Sequence, residues 1–226
     1  MGSPFLFLES HNTSERNNLQ FAKGHSNISG GMSPSIKAVR PSYLLLVLGS
    51  LLALALAHST FAQSPAEQLD GTPAYPFRSA VGKPVVLIFV RTDCPISNRY
   101  APLIKKMNGE YAGKVAFWLV YPDPKTDAEK IREHEREYGF DLPALRDLHH
   151  TLVAQAQVRI TPEAAVFDAS HRLLYHGRID NLYQDFGRAR AAATTHELED
   201  AIQAALTGGK PPASAPAVGC FIADIE

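Results

Sequence analysis

Hydrophobic and polar positions along this chain change period several times, and each change marks an element. Residues 84–91 read Pro-Val-Val-Leu-Ile-Phe-Val-Arg. A continuous, β-branched run of that length predicts a strand buried on both faces. Residues 95–111 follow with Leu103, Ile104, Met107 and Tyr111 at helical spacing, which predicts a helix. Pro102 falls inside it and is expected to kink it. Residues 115–121 form a second apolar run of strand length, in which Phe117 and Trp118 are read as core. Residues 127–138 are highly charged and predict a helix with a solvated face. A short strand is expected at 142–145 and a short helix at 149–157.

The last third returns to short periods. Residues 164–168 predict a strand, Asp168 to His171 supply turn chemistry, and residues 173–179 predict the partner strand of a hairpin. Thr194 and Glu197 match a capping box. Leu198, Ala201, Ile202, Ala205 and Leu206 lie on one face of the helix that follows, and Gly208-Gly209 ends it. The order is strand, helix, strand, helix, then hairpin and helix. It predicts an α/β sandwich with parallel strands first and an antiparallel pair last. The segment 180–194 is longer than a minimal loop and carries Arg188 and Arg190, without a role assigned from sequence.

The amino-terminal third does not read as part of this fold. Residues 44–57 are apolar, with Lys37 and Arg40 before them and the small-x-small triplet Thr60-Phe61-Ala62 after them. This is a secretory signal pattern, with Gln63 as the expected mature start. The run falls short of the roughly 18 residues of a spanning helix, so membrane attachment would require an uncleaved signal. Residues 1–31 are polar and precede the signal; Met32 is an alternative start. The expected division is therefore leader and signal at 1–62, one domain at 63–207, and a Pro/Ala-rich flexible tail at 208–226. The expected location is periplasmic or secreted.

The 226-residue chain has a formal charge of −1. A balance so near zero gives no electrostatic footprint for nucleic acid. Its two cysteines, Cys94 and Cys220, both lie beyond the signal. An oxidising compartment permits a disulfide between them. Two cysteines do not make a disulfide scaffold, and about 160 residues are enough to bury a core without one. Cys94 sits where a buried strand gives way to a helix. Unpaired backbone N–H groups and the helix dipole favour thiolate there. Pro95 at the first helical position loses no hydrogen bond. Arg91 and Arg99 would add to the effect, and Asp93 would oppose it. An inert buried cysteine is the competing reading. His149, His150, His171 and His176 raise a metal site, but nothing in their spacing places them together. No metal and no cofactor are expected.

The stretch 85–102, with Cys94-Pro95-Ile96-Ser97 at the helix start, resembles the thioredoxin superfamily. Ile160-Thr161-Pro162 resembles that family's cis-proline loop, and Pro102 its helix-kinking proline. The extra length between Tyr121 and Val158 is similar to the helix–strand insertion of the redoxin branch, which includes alkyl hydroperoxide reductase and thiol-specific antioxidant proteins. The resemblance covers about residues 70–207. It implies a thioredoxin-like sandwich with a central mixed sheet and a redoxin-type insertion. It also implies Cys94 as nucleophile and Thr161-Pro162 as a platform for substrate backbone. Ser97 stands where a thioredoxin has its second cysteine, so exchange within the motif is excluded. Ser97 is then a candidate hydrogen-bond partner of the thiolate. Arg91 stands where the peroxidase pattern has threonine.

Cys220 is a candidate resolving thiol. From Gly208 the tail is about 12 residues, a reach of up to roughly 40 Å. The leading expectation is a thiol–disulfide oxidoreductase acting on protein thiols or disulfides with an external thiol reductant. The alternatives are a thiol-dependent peroxidase with an antioxidant role, acting on hydroperoxides, and a non-catalytic binding module or metal chaperone.

Overall fold

The computed structural model describes residues 66–223. The leader and the signal pattern lie outside the described residues. Among those described, no helix is long and apolar enough to cross a membrane.

The centre of the fold is the strand expected from the apolar run, β3 (Val85–Phe89), every residue of which is buried. It pairs in parallel with β4 (Ala116–Tyr121) and antiparallel with β7 (Glu163–Phe167). Strand β7 turns through Asp168–His171 into β8 (Leu173–Gly177). The Asp168 carboxylate accepts from the Ser170 and Arg172 amides and closes this turn. On the other side, β4 pairs in parallel with β5 (Ala144–Arg146). Two short strands of the lead-in, β1 (Ala66–Gln68) and β2 (Pro73–Ala74), extend that edge antiparallel. The sheet order is β2-β1-β5-β4-β3-β7-β8.

Helices cover both faces, which is why β3 is apolar throughout. Side chains alternate across a strand. Val86, Ile88 and Val90 therefore join one core with Ile104, Met107, Ile131, Leu198 and Ile202. Val85, Leu87 and Phe89 join the other with Leu152, Val153 and Ala156. The first core is closed by α2 (Pro95–Arg99), α3 (Ala101–Glu110), α4 (Ala128–Tyr138) and α6 (Glu197–Thr207). The second is closed by α5 (Thr151–Ala156), with α1 (Pro76–Ser79) bringing Phe77 edge-on to Phe167. The insertion after Tyr121 consists of α4 and β5.

Two expectations change in detail. The helix expected over 95–111 is two helices, separated at Tyr100. Pro102 in the first turn of α3 has no N–H to give the Asn98 carbonyl, so the ladder restarts rather than bends. The capping box does not form. His196 occupies the N-cap of α6 and makes no side-chain cap bond. Asn181 instead accepts from the Thr194 and Thr195 amides, and Arg178 and Thr195 take the Glu197 carboxylate.

The long segment after β8 contains a small hairpin, β9 (Tyr183–Asp185) with β10 (Arg188–Ala189). Beyond α6 the chain runs without regular structure along β8. The Arg178 amide donates to the Ala215 carbonyl at 3.0 Å, and Ser214 donates to the His176 carbonyl. Gly177 has a φ of 149°, and a Cβ there would lie 2.5 Å from the Ala215 oxygen. The tail then forms β11 (Cys220–Phe221), antiparallel to β6 (Ile160–Thr161).

Candidate active site

Cys94 closes the connection that follows β3 and is the N-cap of α2, with extended backbone (φ −91°, ψ 110°). Its carbonyl accepts from the Asn98 amide, the first turn of the helix. Its side chain is 0% exposed. The thiol donates to the Thr161 carbonyl at 3.2 Å. The Thr161–Pro162 peptide bond is cis. The strand–helix junction and the loop before β7, 67 residues apart in sequence, therefore meet at the sulfur.

Cys220 arrives from the opposite direction. It is the residue across from Thr161 in the β11–β6 pair. The Thr161 hydroxyl donates to the Cys220 carbonyl at 3.2 Å. Both cysteines are free thiols. Burial pushes the Cys94 thiol up, but hydrogen bonds with Cys220 and Ser97 outweigh it and hold Cys94 below the ordinary thiol value. Cys220 moves the other way. Its own burial, then its hydrogen bond to Cys94 and the Cys94 charge, push it up to about 12. Of the two thiols, Cys94 is the more acidic and Cys220 the one that holds its proton more tightly.

Ser97 is buried, its hydroxyl is without a geometrically defined hydrogen-bond partner, and it is one of the groups that hold the Cys94 thiol down, in the place where a second motif thiol would stand. Arg91 does not aim its charge at Cys94. Its guanidinium is bidentate on Asp93 at 3.0 and 2.9 Å, and donates to the Phe221 carbonyl at 3.3 Å. Its field bears on Cys220, whose upward shift it moderates. Arg99 is exposed and lines an open groove of about 430 Å³ with Pro95, Asn98, Pro102 and Tyr138.

Three supporting arrangements have no signature in the sequence. Glu163, directly after Pro162, is 7% exposed and accepts from the Arg159 and Ile160 amides at 2.9 and 3.2 Å. A carboxylate at the head of an otherwise apolar strand was the one available clue. Tyr100 donates to Asp180 and so ties the α2–α3 junction to the segment after β8. Behind α2, the Asn98 amide nitrogen donates to the Thr92 carbonyl and to the Tyr138 hydroxyl. Its oxygen therefore faces His134 Nε2 at 2.8 Å, and Tyr121 stands 2.9 Å from Nδ1. An amide oxygen can only accept, so Nε2 carries the proton and Nδ1 accepts from Tyr121.

The histidines weighed for metal do not converge. His150 bonds the Pro122 carbonyl, His176 faces Glu163, and His171 packs on Phe77. Among the described residues no group of three or more His, Cys, Asp or Glu could hold a metal ion.

A mixed sheet between two helical layers, a helix-start cysteine and a cis-proline loop against its sulfur define a thioredoxin-like redox protein. Residues 64–176 match the AhpC/TSA family, and the chain belongs to it. No curated protein matches the chain. Among solved structures it is similar to an uncharacterized conserved protein from Geobacillus kaustophilus, at 20% identity and a TM-score of 0.60, covering 71% of this chain and 89% of that one. It is also similar to a hypothetical protein from Sinorhizobium meliloti, at 22% identity and a TM-score of 0.59, covering 70% of this chain and 88% of that one. Both likenesses concern the fold.

Proposed function

We propose that this protein is an exported thiol–disulfide oxidoreductase whose working pair is Cys94 and Cys220. The observation that supports it most is the placement of the tail thiol against the helix-start thiol, with opposite shifts in acidity. Ser97 removes the second cysteine of a thioredoxin motif, and β11 returns one by another route.

The chemistry follows from the acidities. The Cys94 thiolate attacks one sulfur of a substrate disulfide, forms a mixed disulfide and expels the other sulfur as thiolate, which takes up a proton. Cys94 then carries no charge, so one of the causes that holds Cys220 protonated is gone. Cys220 loses its proton and attacks the Cys94 sulfur. The second substrate thiolate leaves and the Cys94–Cys220 disulfide closes. Two electrons have passed to the substrate, and an external thiol reductant returns them by the reverse exchanges. Run backwards, the same steps oxidise a substrate dithiol. Thr161 and Pro162 present the backbone edge along which a substrate segment lies. Export rests on the signal pattern at 44–62, and the periplasm or the exterior is the oxidising space in which such a pair cycles.

The test is mass mapping of the oxidised and reduced chain together with trapping. A Cys94–Cys220 disulfide in the oxidised protein, and a mixed disulfide at Cys94 in Cys220→Ser, are the expected results. Two free thiols after equilibration with glutathione disulfide would overturn the pairing. Hydroperoxide consumption faster than disulfide exchange would instead favour the peroxidase reading.

A further inference from the structure

The strand β11 does more than deliver a thiol. It occupies a backbone edge beside Cys94. Thr161 is 0% exposed, and so is Cys94. The tail is seated by the β11–β6 register, by the Ile222 amide donating to the Arg159 carbonyl at 3.0 Å, and by Arg91 on the Phe221 carbonyl. Side chains alternate along it: Phe221 is 75% exposed, whereas Ile222 is 7% exposed and joins the core that contains Leu152 and Val158. The residue before the cysteine is constrained most of all. A Cβ on Gly219 would lie 2.0 Å from the Thr161 carbonyl oxygen and 2.7 Å from its carbon. Both are backbone atoms of the loop, with no side-chain end that could swing away. Only glycine fits there.

We infer that the Ile160–Thr161 edge is an acceptor strip for an extended protein segment of the pattern glycine, cysteine, any residue, apolar residue, and that the protein's own tail is its resident occupant. The inference rests on the thiol-exchange reading for its choice of partner, a protein cysteine. Each position has its own cause. Glycine clears the Thr161 carbonyl, cysteine meets the Cys94 sulfur, the next side chain points to solvent, and the apolar one fills the place of Ile222. Strand addition at a free edge supplies the affinity, and the alternating side chains supply the specificity. A substrate segment must displace β11 to bind, so the tail sets which cysteines reach Cys94.

The experiment uses the reduced full chain, with iodoacetamide as probe and mass mapping to read Cys94 apart from Cys220. Gly219→Ala should release the strand and speed Cys94 alkylation by about tenfold or more, because labelling then no longer waits for local opening. The hexapeptide Ala-Val-Gly-Ser-Phe-Ile, added in trans, should restore protection in that variant. The same peptide with alanine for glycine should not. An unchanged Cys94 rate in Gly219→Ala overturns the inference, as does equal protection by both peptides. Protection of the unsubstituted chain that grows with its concentration assigns the strand to a second copy and also overturns it. None of these readouts needs turnover. Glycine-dependent protection without any disulfide exchange would refute the oxidoreductase reading and leave the acceptor strip standing.

Discussion

The Thr161 carbonyl accepts the Cys94 thiol at 3.2 Å, while the Thr161 side chain donates to the backbone of Cys220 at 3.2 Å. One residue thus contacts both cysteines. A carbonyl oxygen cannot donate to a thiolate, so when Cys94 ionises it loses this partner. The anion then depends on donors from Cys220 and Ser97.

That dependence sets the first expectation. Cys220→Ala and Ser97→Ala each remove a hydrogen-bond donor to the thiolate, while the desolvation that opposes ionisation stays. The profile of Cys94 alkylation against pH should move to higher pH in both variants, and further when they are combined. Cys220→Ser keeps a hydroxyl donor and should move it less. A profile that is unchanged in the alanine variants would remove these two groups as the cause of Cys94 acidity.

Tyr100 and Asp180 give an expectation for stability. The pair is buried, and one Asp180 oxygen takes both the Tyr100 hydroxyl and the Leu182 amide. Burial, with Asp180 beside it, drives the Tyr100 hydroxyl far above its ordinary value, so it remains a donor throughout the working range. Tyr100→Phe leaves the carboxylate short of a donor, at a cost of about 1–3 kcal/mol. Urea denaturation should show the loss as a lower midpoint with an unchanged slope.

The sheet and its helices were legible from the sequence because burial dictates them. An apolar run such as 85–89 has few alternatives once helices cover both faces. Pro102 marked a break in the helix, although its consequence was a restart at Tyr100 rather than a bend. The capping-box pattern at Thr194 and Glu197 was satisfied in sequence and defeated in space, since Asn181 and Arg178 come from another element. The same holds for the site. Cys94, Ser97, Thr161 and Pro162 sit at local signals, a strand end and a loop before a hairpin. The pairing of β11 with β6 joins residues nearly 60 positions apart, and no local period encodes it. Gly219 is read from the chain as part of a Pro/Ala-rich tail; only the Thr161 carbonyl against it shows why it is glycine.

His134 makes the fold sensitive to acid. Its imidazole is buried between Tyr121 and Asn98, and burial lowers its pKa below the ordinary value, with the Glu137 charge opposing the shift. The unfolded chain has a histidine pKa of about 6.5. Below that pH the unfolded state takes up a proton that the folded state declines. Stability therefore falls as pH drops from about 6.5 towards the folded pKa, and this contribution is constant above that window. His134→Gln keeps an N–H for Asn98 and removes the titration. The denaturation midpoint of that variant should depend less on pH as the pH falls below about 6.5. An equal slope in both proteins would place the acid sensitivity elsewhere.

Glu163 provides the sharpest separation between a structural and a site role. Its Oε2 collects the Arg159 and Ile160 amides, which are the N-terminal approach to the edge on which β11 lies. Glu163→Ala leaves both amides without their acceptor, a loss of about 1–3 kcal/mol if they stay buried. Glu163→Gln keeps one acceptor oxygen and should recover most of that stability. The site effect is read differently. A loosened Ile160–Thr161 edge holds the tail less firmly, so Glu163→Ala should raise the alkylation rates of Cys94 and Cys220 together. Tyr100→Phe lowers global stability without touching this loop and should leave those rates almost unchanged under native conditions. If equally destabilised Tyr100→Phe and Glu163→Ala proteins expose Cys94 to the same degree, Glu163 acts only through global stability. If exposure follows Glu163→Ala alone, the carboxylate positions the edge on which β11 lies beside Cys94.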